Sequence, residues 1–286
     1  MQIDCKTFEL LGKMLFEKVI LTPPFKQLYL MENQACFVYI MEGEYSSIAE
    51  IGKIKASSEE SVLMKCGTYI PTISKSQDSN KYQAVAVHFY PEILRKIYDH
   101  KLPDFLKKKK ENSGIGISKL NSDILIKKYI DGLLFYFENP GLVTEEILEL
   151  KLKEIILLLN QTKNAPAIQA ILTNLFNPIS YKFREIVESH YYSNVTLDDL
   201  AQLTNMSLST FKREFKKIYK VAPATYLRKM KLEKSIELLS STNLRATEIA
   251  YDCGFTNISH FSRSFKEAYG ISPTDYKLNH FGKPLN

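Results

Sequence analysis

The sequence of 286 residues lacks any run of about 20 apolar residues, the length that a helix needs to cross a bilayer. Its first residues also lack the basic start, apolar core and small-residue cleavage site of an export signal. Cysteine is scarce, and Cys5, Cys36, Cys66 and Cys253 include no C-x-x-C pair. Scattered cysteines favour reduced thiols over a disulfide or zinc framework. We therefore expect a cytoplasmic protein with no membrane partner.

Signatures of metal binding and catalysis are missing as well. A metal-dependent enzyme built on a β barrel needs several histidines and a glutamate that converge on one ion. The N-terminal half offers His88 and His100, which are not spaced as such a set. His88 alternates with apolar neighbours, as expected for a strand histidine without a ligand role. Since no P-loop, nucleophile elbow or glycine-rich dinucleotide fingerprint occurs either, we predict no catalytic residue, metal or cofactor.

The residues that are present suit a globular protein of two domains. Hydrophobic residues make up 45% and charged residues 24% of the chain, which is ordinary for a folded protein, and the length is enough for two domains. Positive charge is concentrated in residues 180–286, which carry 16 Lys and Arg against 11 Asp and Glu. Such an excess in one segment favours a polyanionic partner for that segment.

Two kinds of pattern follow each other in the N-terminal part. From about Phe25 to Phe89, short aromatic and β-branched runs separated by turn signals predict a small β sandwich or barrel. Helical spacing then predicts helices at 123–138, 145–160 and 167–176. Asn177-Pro178 breaks the last pattern, so we place the boundary between domains 1–177 and 178–286 there.

An internal repeat is the main feature of the C-terminal part. Leu200-Ala201, then Met206, recurs as Ile249-Ala250, then Phe255, at an offset of 49 residues. Further positions recur at an offset of 50, because the second copy has one extra residue before its second helix. These positions are Ser209, Phe211, Arg213, Phe215-Lys216, Tyr219, Pro223 and Tyr226. So many matches in one order indicate one supersecondary unit used twice.

Each copy fits a helix, a turn and a second helix. In the first copy, Thr196 is placed to cap a helix that ends at Leu203, and Ser207 to cap a helix that runs to about Lys220. In the second copy, Gly254 stands in the turn, where positive φ is often needed. The predicted buried stripes are Phe211, Phe215 and Ile218 in the first copy, and Phe261, Phe265 and Ala268 in the second. Between the copies, Pro223–Leu239 is predicted to form one long helix.

The opposite face of each second helix is basic or able to form hydrogen bonds. It presents Ser209, Thr210, Lys212, Arg213, Lys216, Lys217 and Lys220 in the first copy, and Asn257, Ser259, His260, Ser262, Arg263 and Lys266 in the second. Such a helix fits the DNA major groove, where Arg bonds guanine, Asn and Ser meet base edges, and Lys neutralises phosphates. A basic face on a single helix is more often merely solvated, and His260 is equally well explained by exposure to water. The repeat favours two recognition helices, at about 207–220 and 257–269, in successive grooves about 34 Å apart.

These residues closely resemble the signature of the AraC/XylS family of transcription regulators. The resemblance rests on Ile249-Ala-Tyr-Asp-Cys-Gly-Phe255, Ser259-His-Phe-Ser-Arg-Ser-Phe-Lys266, Gly270-Ile-Ser-Pro273 and Tyr276. It implies a double helix-turn-helix domain that binds double-stranded promoter DNA and usually activates transcription through contact with RNA polymerase. It also implies base contacts by Ser209, Thr210, Lys212 and Arg213 in the first recognition helix and by Asn257, Ile258, Ser262 and Arg263 in the second. Lys220 departs from the pattern, because the second copy has Gly270 at this helix end.

The N-terminal part is a looser match to the same family. Its strands around Met41-Glu-Gly-Glu44 and Lys65-Cys-Gly67 look like a cupin-type regulatory domain, and the layout is similar to that of regulators of virulence or type III secretion genes. A concave barrel suits a small-molecule effector, for which the candidate residues are Phe37, Tyr39, Met41, Lys65 and Tyr69. Strand alternation lets about half of these face inward. The alternative is a filled barrel whose surface binds a regulatory protein.

The helices that follow the strands resemble dimerisation elements of that family. Residues 145–160 are apolar on nearly all sides towards their end, and we predict a homodimer interface formed by Leu148, Leu152, Ile155, Ile156 and Leu159. The alternative is that these side chains pack against their own β domain. The expected fold is therefore α+β. A cupin-like β barrel with dimerisation helices precedes an all-α domain of two helix-turn-helix units joined by a long helix.

Overall fold

The structure is a computed structural model that describes residues 3–26, 28–75, 80–99, 101–107, 117–120, 123–163, 165–176 and 182–281. The chain separates into two compact units, unit 1 (Met1–Tyr181) and unit 2 (Lys182–Asn286). The boundary predicted at Asn177-Pro178 lies outside the described residues. The α+β class is confirmed, since unit 1 combines sheets with helices and unit 2 is helical. In the described part of the chain, no helix is long and apolar enough to cross a membrane.

Antiparallel strands make up the first part of unit 1. They are β1 (Ile3–Leu10), β2 (Lys13–Leu21), β3 (Phe25–Lys26), β4 (Tyr29–Met31), β5 (Ala35–Glu42), β6 (Glu44–Ala49), β7 (Lys53–Ser57), β8 (Ser61–Met64), β9 (Gly67–Ser74), β10 (Tyr82–Phe89) and β11 (Ile117–Leu120). One sheet has the strand order β1-β2-β10-β5-β8-β11. The other has the order β3-β9-β6-β7, and β4 also pairs with β9.

The central strand β5 shows how unit 1 is layered. Cys36, Val38 and Ile40 pack in a core shared with the second sheet, whereas Phe37 and Tyr39 pack in a core shared with helices. A strand that is covered on both faces needs a continuous apolar run, and the sequence of β5 has this composition. The two sheets therefore face each other, and helices cover the outer face of the six-stranded sheet. No strand pair joins the two sheets among the described residues, so the predicted barrel is an open sandwich.

The β structure begins earlier than the sequence predicted. β1 and β2 form a hairpin whose two-residue turn, Leu11-Gly12, has positive φ at both positions (54° and 69°). Turns of this kind match the twist of the strands and usually carry Asn-Gly or Gly-Gly. Leucine at the first position hides the turn signal, and the predicted start at Phe25 is therefore wrong.

Unit 1 has five helices in its described residues, of which the last three agree with the predicted ones and the first two were not predicted. They are α1 (Pro91–Ile97), α2 (Asp104–Lys107), α3 (Ile124–Glu138), α4 (Glu145–Gln161) and α5 (Ala165–Asn174), with a 3-10 turn at Pro140–Leu142. Asp123 caps α3, since its Oδ1 accepts a hydrogen bond from the backbone N–H of Leu125 at 2.9 Å. The hydroxyl of Thr144 caps α4 in the same way, through the N–H of Ile147 at 3.4 Å.

The predicted dimer face of α4 is buried inside its own unit. Leu148, Leu152, Ile155, Ile156 and Leu159 all lie in the core shared by the helices and the six-stranded sheet, and the most exposed of them, Leu148, is 5% exposed. They offer no surface to a second chain. The prediction that these five residues form a dimer interface is therefore wrong, and they are core residues. Which face of an apolar helix is covered depends on the sheet beneath it, which the helix sequence does not reveal.

Unit 2 consists of seven helices in its described residues. They are α6 (Phe183–Ser189), α7 (Leu197–Leu203), α8 (Leu208–Tyr219), α9 (Pro223–Ser241), α10 (Ala246–Asp252), α11 (Ile258–Tyr269) and α12 (Pro273–Phe281). The helix-turn-helix units are α7-α8, the first copy, and α10-α11, the second copy. Thr196 caps α7 reciprocally: its hydroxyl accepts from the N–H of Asp199, whose carboxylate accepts from the N–H of Thr196. The long connecting helix is α9, as predicted.

The two recognition helices end in the same left-handed conformation. Lys220 has φ 62° after α8, and Gly270 has φ 80° after α11. Each donates its backbone N–H to the carbonyl four residues earlier, at 2.9 and 2.8 Å respectively. A lysine therefore ends the first helix as glycine ends the second, although a side chain in this conformation costs about 1 kcal/mol.

We predict that Lys220→Gly stabilises unit 2, because glycine adopts the left-handed conformation without steric cost. A gain of about 1 kcal/mol corresponds to a rise of roughly 4–8 °C in the midpoint of thermal unfolding for a domain of this size. The measurement is thermal unfolding, followed by circular dichroism, of a fragment comprising residues 182–286.

Gly270→Lys is the matched control, since a Cβ at Gly270 meets no atom within 4 Å and the change is purely conformational. It should lower the midpoint by a similar amount. An unchanged or lower midpoint for Lys220→Gly would contradict the prediction.

Candidate nucleic-acid interface

The sequence repeat is a structural repeat with an aromatic core in each copy. The rings of Phe215 and Tyr226 lie 5.6 Å apart in the first copy, and their counterparts Phe265 and Tyr276 lie 5.6 Å apart in the second. Each core holds one side of the recognition helix against its neighbours, so the other side is left to solvent. The same local sequence therefore produces the same helix orientation twice.

The predicted buried stripes are largely confirmed. The four phenylalanines at 211, 215, 261 and 265 are fully buried, and Ile218 is half-buried. Ala268 is exposed, contrary to the prediction. Tyr269 takes its place, because its ring lies 4.8 Å from that of Phe265 and covers this end of the core.

The structure places the candidate DNA contacts on the outer sides of α8 and α11. Ten of the thirteen are exposed: Ser209, Lys212, Arg213, Lys216, Lys217, Asn257, Ser259, His260, Arg263 and Lys266. The other three, Thr210, Ile258 and Ser262, are half-buried. Each recognition helix thus carries its candidate residues on a surface that a DNA groove can reach.

The first turn of each recognition helix is held by its capping residue. In α8, the hydroxyl of Ser207 accepts from the N–H of Thr210 at 3.3 Å and lies within 3.0 Å of the hydroxyls of Ser209 and Thr210. In α11, Oδ1 of Asn257 accepts from the N–H of His260 at 3.1 Å. The side-chain amide of Asn257 also has N–H donors, which are the groups that a phosphate or base acceptor binds.

Positive charge on the two helices is mostly unneutralised. Arg213 and Arg263, at equivalent positions, form no ion pair with any carboxylate in the described part of the chain. Lys217 is paired with Glu214 at 3.5 Å, but this is an exposed pair of small energy. Guanidinium groups without a protein partner are available to bases or phosphates.

His260 has contacts within the protein. Its Nε2 lies 3.5 Å from the hydroxyl of Ser264, and its ring centroid lies 6.0 Å from that of Phe255. It lines a groove of about 320 Å³ together with Thr196, Arg228 and Lys231. His260 therefore lies beside the groove between the two copies, which Arg213 and Arg263 do not line.

The candidate effector residues of unit 1 do not converge on one site. Phe37 and Tyr39 pack under the helices with half-buried Met41, whereas Tyr69 packs between the sheets. Lys65 is 2% exposed, and its carbonyl accepts a hydrogen bond from the hydroxyl of Tyr69 at 2.8 Å. Strand alternation predicts that about half of the five face one interior, but Phe37 and Tyr39 lie on the helix side of β5 and do not share an interior with Tyr69.

A buried polar cluster that the sequence did not predict lies between the sheets. Nδ1 of His88 is 3.1 Å from Oε1 of Gln34, and its Nε2 is 3.6 Å from Oε2 of Glu17. Burial lowers the pKa of His88, but Cys36 and Glu17 outweigh this effect and raise it to about 10. The imidazole of His88 beside it lowers the pKa of Glu17. Each of the two groups thus shifts the pKa of the other towards its charged form.

The cluster does not amount to a metal site. Among the described residues, no group of three or more His, Cys, Asp or Glu side chains is placed to hold a metal ion. His88 lies on strand β10, as predicted, and His100 is outside the described residues. The pairing of strands β2 and β10 brings Glu17 and His88 together, and no local sequence pattern reveals this strand pairing.

Two family models match the chain. Residues 200–279 match a model described as a helix-turn-helix domain, and residues 35–171 match one described as the ExsA N-terminal regulatory domain. The first spans both copies from α7 to α12, and the second spans most of unit 1.

Curated relatives are transcription regulators by name. The HTH-type transcriptional regulator ExsA of Pseudomonas aeruginosa is 26% identical over 161 residues, which cover 56% of this chain and 56% of ExsA. The HTH-type transcriptional activator RhaS of Escherichia coli is 34% identical over 96 residues, which cover 34% of each chain. The matches thus span about half the length of these relatives or less.

A solved structure that is similar to this chain is that of fatty acid-bound ToxT from Vibrio cholerae. The two sequences are 14% identical, and the TM-score is 0.38. The alignment covers 95% of this chain and 97% of ToxT.

Proposed function

Because the chain joins an ExsA-type N-terminal regulatory domain to an AraC-type helix-turn-helix domain, we propose that it is a sequence-specific transcription regulator that binds promoter DNA through α8 and α11. One observation carries the proposal: two equivalent helices, each backed by its own aromatic core, present Arg213 and Arg263 at the same position without an acidic partner in the described residues. A helix face that is merely solvated does not require an equivalent second helix. Binding to two major-groove segments on one side of DNA does require two such helices.

The residues divide into base contacts and phosphate contacts. Arg213 and Arg263 are proposed to bond guanine, while Lys216, Lys217 and Lys266 lie a turn further along their helices, where they suit phosphates. Ser209, Thr210 and Asn257, at the helix starts, supply shorter hydrogen-bonding groups. The proposed action is activation, with RNA polymerase as partner and the cytoplasm as location. In vitro transcription from the bound promoter tests it: added protein should increase the transcript, and a decrease would mark a repressor.

We predict that Arg213→Ala and Arg263→Ala each weaken binding to the specific site by about 1–3 kcal/mol and relax base preference at one position. The probe is a duplex selected from a random library by the full-length protein. Binding is measured by titration at fixed salt.

Lys217→Ala is the matched control, because it removes one exposed positive charge from the same face. It should weaken all sequences similarly and reduce the salt dependence of binding. If both arginine variants kept full affinity and specificity, the assignment of base contacts would be wrong.

We also propose that the chain forms a homodimer through the exposed face of α4 instead of its buried face. Leu150 and Leu157 are 64% and 50% exposed, and they lie seven residues apart, which places them on one side of the helix. Two leucines two turns apart make an apolar stripe suited to a second copy of the same helix. A dimer would bring four recognition helices to paired sites and raise apparent affinity.

Leu150→Lys combined with Leu157→Lys should convert dimers to monomers in sedimentation experiments, because two charges cannot be buried at the interface without partners. Ile124→Lys is the control, since it changes an equally exposed apolar residue on α3. Wild-type protein that sediments as a monomer at tens of micromolar would speak against this interface.

Unit 1 is proposed to receive the effector. Between its sheets, the unit's own side chains pack in one core, and four of the five candidate residues are divided between this core and the one under the helices. This favours a regulatory protein bound to the surface over a small molecule in the interior.

A thermal-shift screen of unit 1 against a metabolite extract should therefore show no stabilisation. A partner protein should instead co-purify with the full chain and abolish its DNA binding. A reproducible rise of the unfolding midpoint with a small molecule would reverse this choice.

A further inference from the structure

The two helix-turn-helix copies are packed separately and are joined by one helix, α9. The first core holds Val187, Leu200, Phe211 and Phe215, and α9 adds Leu227 to it. The second core includes Ile249, Phe261 and Phe265, and α9 adds Leu232 and Leu239. The two cores share no buried residue among the described ones, so apart from α9 itself their relative placement depends on contacts outside both of them.

One side chain on α9 bridges the two copies. Nζ of Lys231 donates to the carbonyl of Ser193 at 3.1 Å and to the carbonyl of Gly254 at 2.8 Å. Ser193 precedes α7 and belongs to the first copy's side, whereas Gly254 lies in the turn of the second copy. Hydrogen bonds from a charged donor are stronger than those between neutral groups, and Lys231 is half-buried. Lys231 therefore joins two backbone segments that belong to different copies.

The turn of the second copy is shaped for this approach. A Cβ at Gly254 would lie 2.5 Å from the carbonyl oxygen of Tyr192 and 3.0 Å from that of Ser193. The equivalent turn residue of the first copy is Asn205, which also has positive φ but carries a side chain. Positive φ alone therefore does not require glycine here. The close backbone contact between the copies does.

We propose that Lys231 is a positioning residue that fixes α8 relative to α11 and thereby sets the spacing of the two DNA segments that the chain can bind. Its hydrogen bonds to both copies distinguish it from the exposed lysines of α9, such as Lys229, which pairs with Glu233 along the helix at 3.6 Å. The DNA part of this inference rests on the proposed function. The protein part, a fixed distance between the two helices, does not.

The distance is measured on the full chain without DNA. Spin labels are attached at Lys217→Cys and Glu267→Cys, equivalent exposed positions of the two copies, in a background in which the accessible Cys5 and Cys66 are replaced by serine. Labelled chains are diluted with unlabelled protein, so that distances between the chains of the proposed dimer do not contribute. The background protein should then give one narrow distance distribution by double electron–electron resonance. Lys231→Met should broaden or shift it, and Lys231→Arg, which keeps a charge and several donors, should restore it.

Lys229→Met removes the same charge from the same helix and should leave the distribution unchanged. Circular dichroism should show that each variant keeps its helices, because both cores are intact. Should Lys231→Met fail to fold, Gly254→Ala takes its place, because the added methyl group disrupts the same contact from the side of the second copy. A Lys231→Met distribution identical to that of the background protein overturns the proposal.

Spacing is then tested with a duplex selected from a random library by the wild-type protein. Base pairs are inserted or removed between the two protected segments. The wild type should bind the selected spacing best and lose affinity steeply at others. Lys231→Met should bind the selected spacing about tenfold more weakly and distinguish the spacings less.

The two measurements distinguish a failure of the proposed function from a failure of the role assigned to Lys231. If the wild type selects no duplex, the proposed function fails while the distance result stands. If the wild type selects a duplex and Lys231→Met retains the full spacing preference, the role of Lys231 is wrong while DNA binding stands.

Discussion

Unit 2 depends on one helix, α9, being packed into two small cores at once. A helix-turn-helix of two short helices buries too little apolar surface to be stable alone, and here the first half of α9 completes one core while its second half completes the other. Leu227 and Leu232 lie only a few residues apart, yet they belong to different cores. The folding of each copy and the geometry between the copies are therefore determined by the same element.

The two copies differ where the geometry between them is decided. Their cores and recognition helices correspond closely, and so do the positive φ values of Asn205 and Gly254. The difference is that Gly254 lies against the backbone of Tyr192 and Ser193, with Lys231 binding its carbonyl. In this account the repeat supplies two similar DNA contacts, and the asymmetric contact between the copies sets their spacing.

The features that could be predicted from the sequence are those with local causes. The recognition helices follow from their amphipathic spacing and from the caps Ser207 and Asn257, which act within three residues of themselves. The buried face of α4 and the Glu17–His88 pair depend on which elements pack together, so no local sequence pattern predicts them. The same holds for Lys231, whose two hydrogen bonds span 38 and 23 residues of sequence. The hairpin turn at Leu11-Gly12 was missed because a leucine adopts a conformation that is rare for it.

The central claim is that α8 and α11 contact one DNA site together. Hydroxyl-radical footprinting of the full chain on a duplex selected from a random library tests it most directly. We expect two protected segments on one face of the duplex, about one helical turn apart, of which Arg213→Ala weakens one and Arg263→Ala the other. A single protected segment, or protection that both variants leave unchanged, would contradict it.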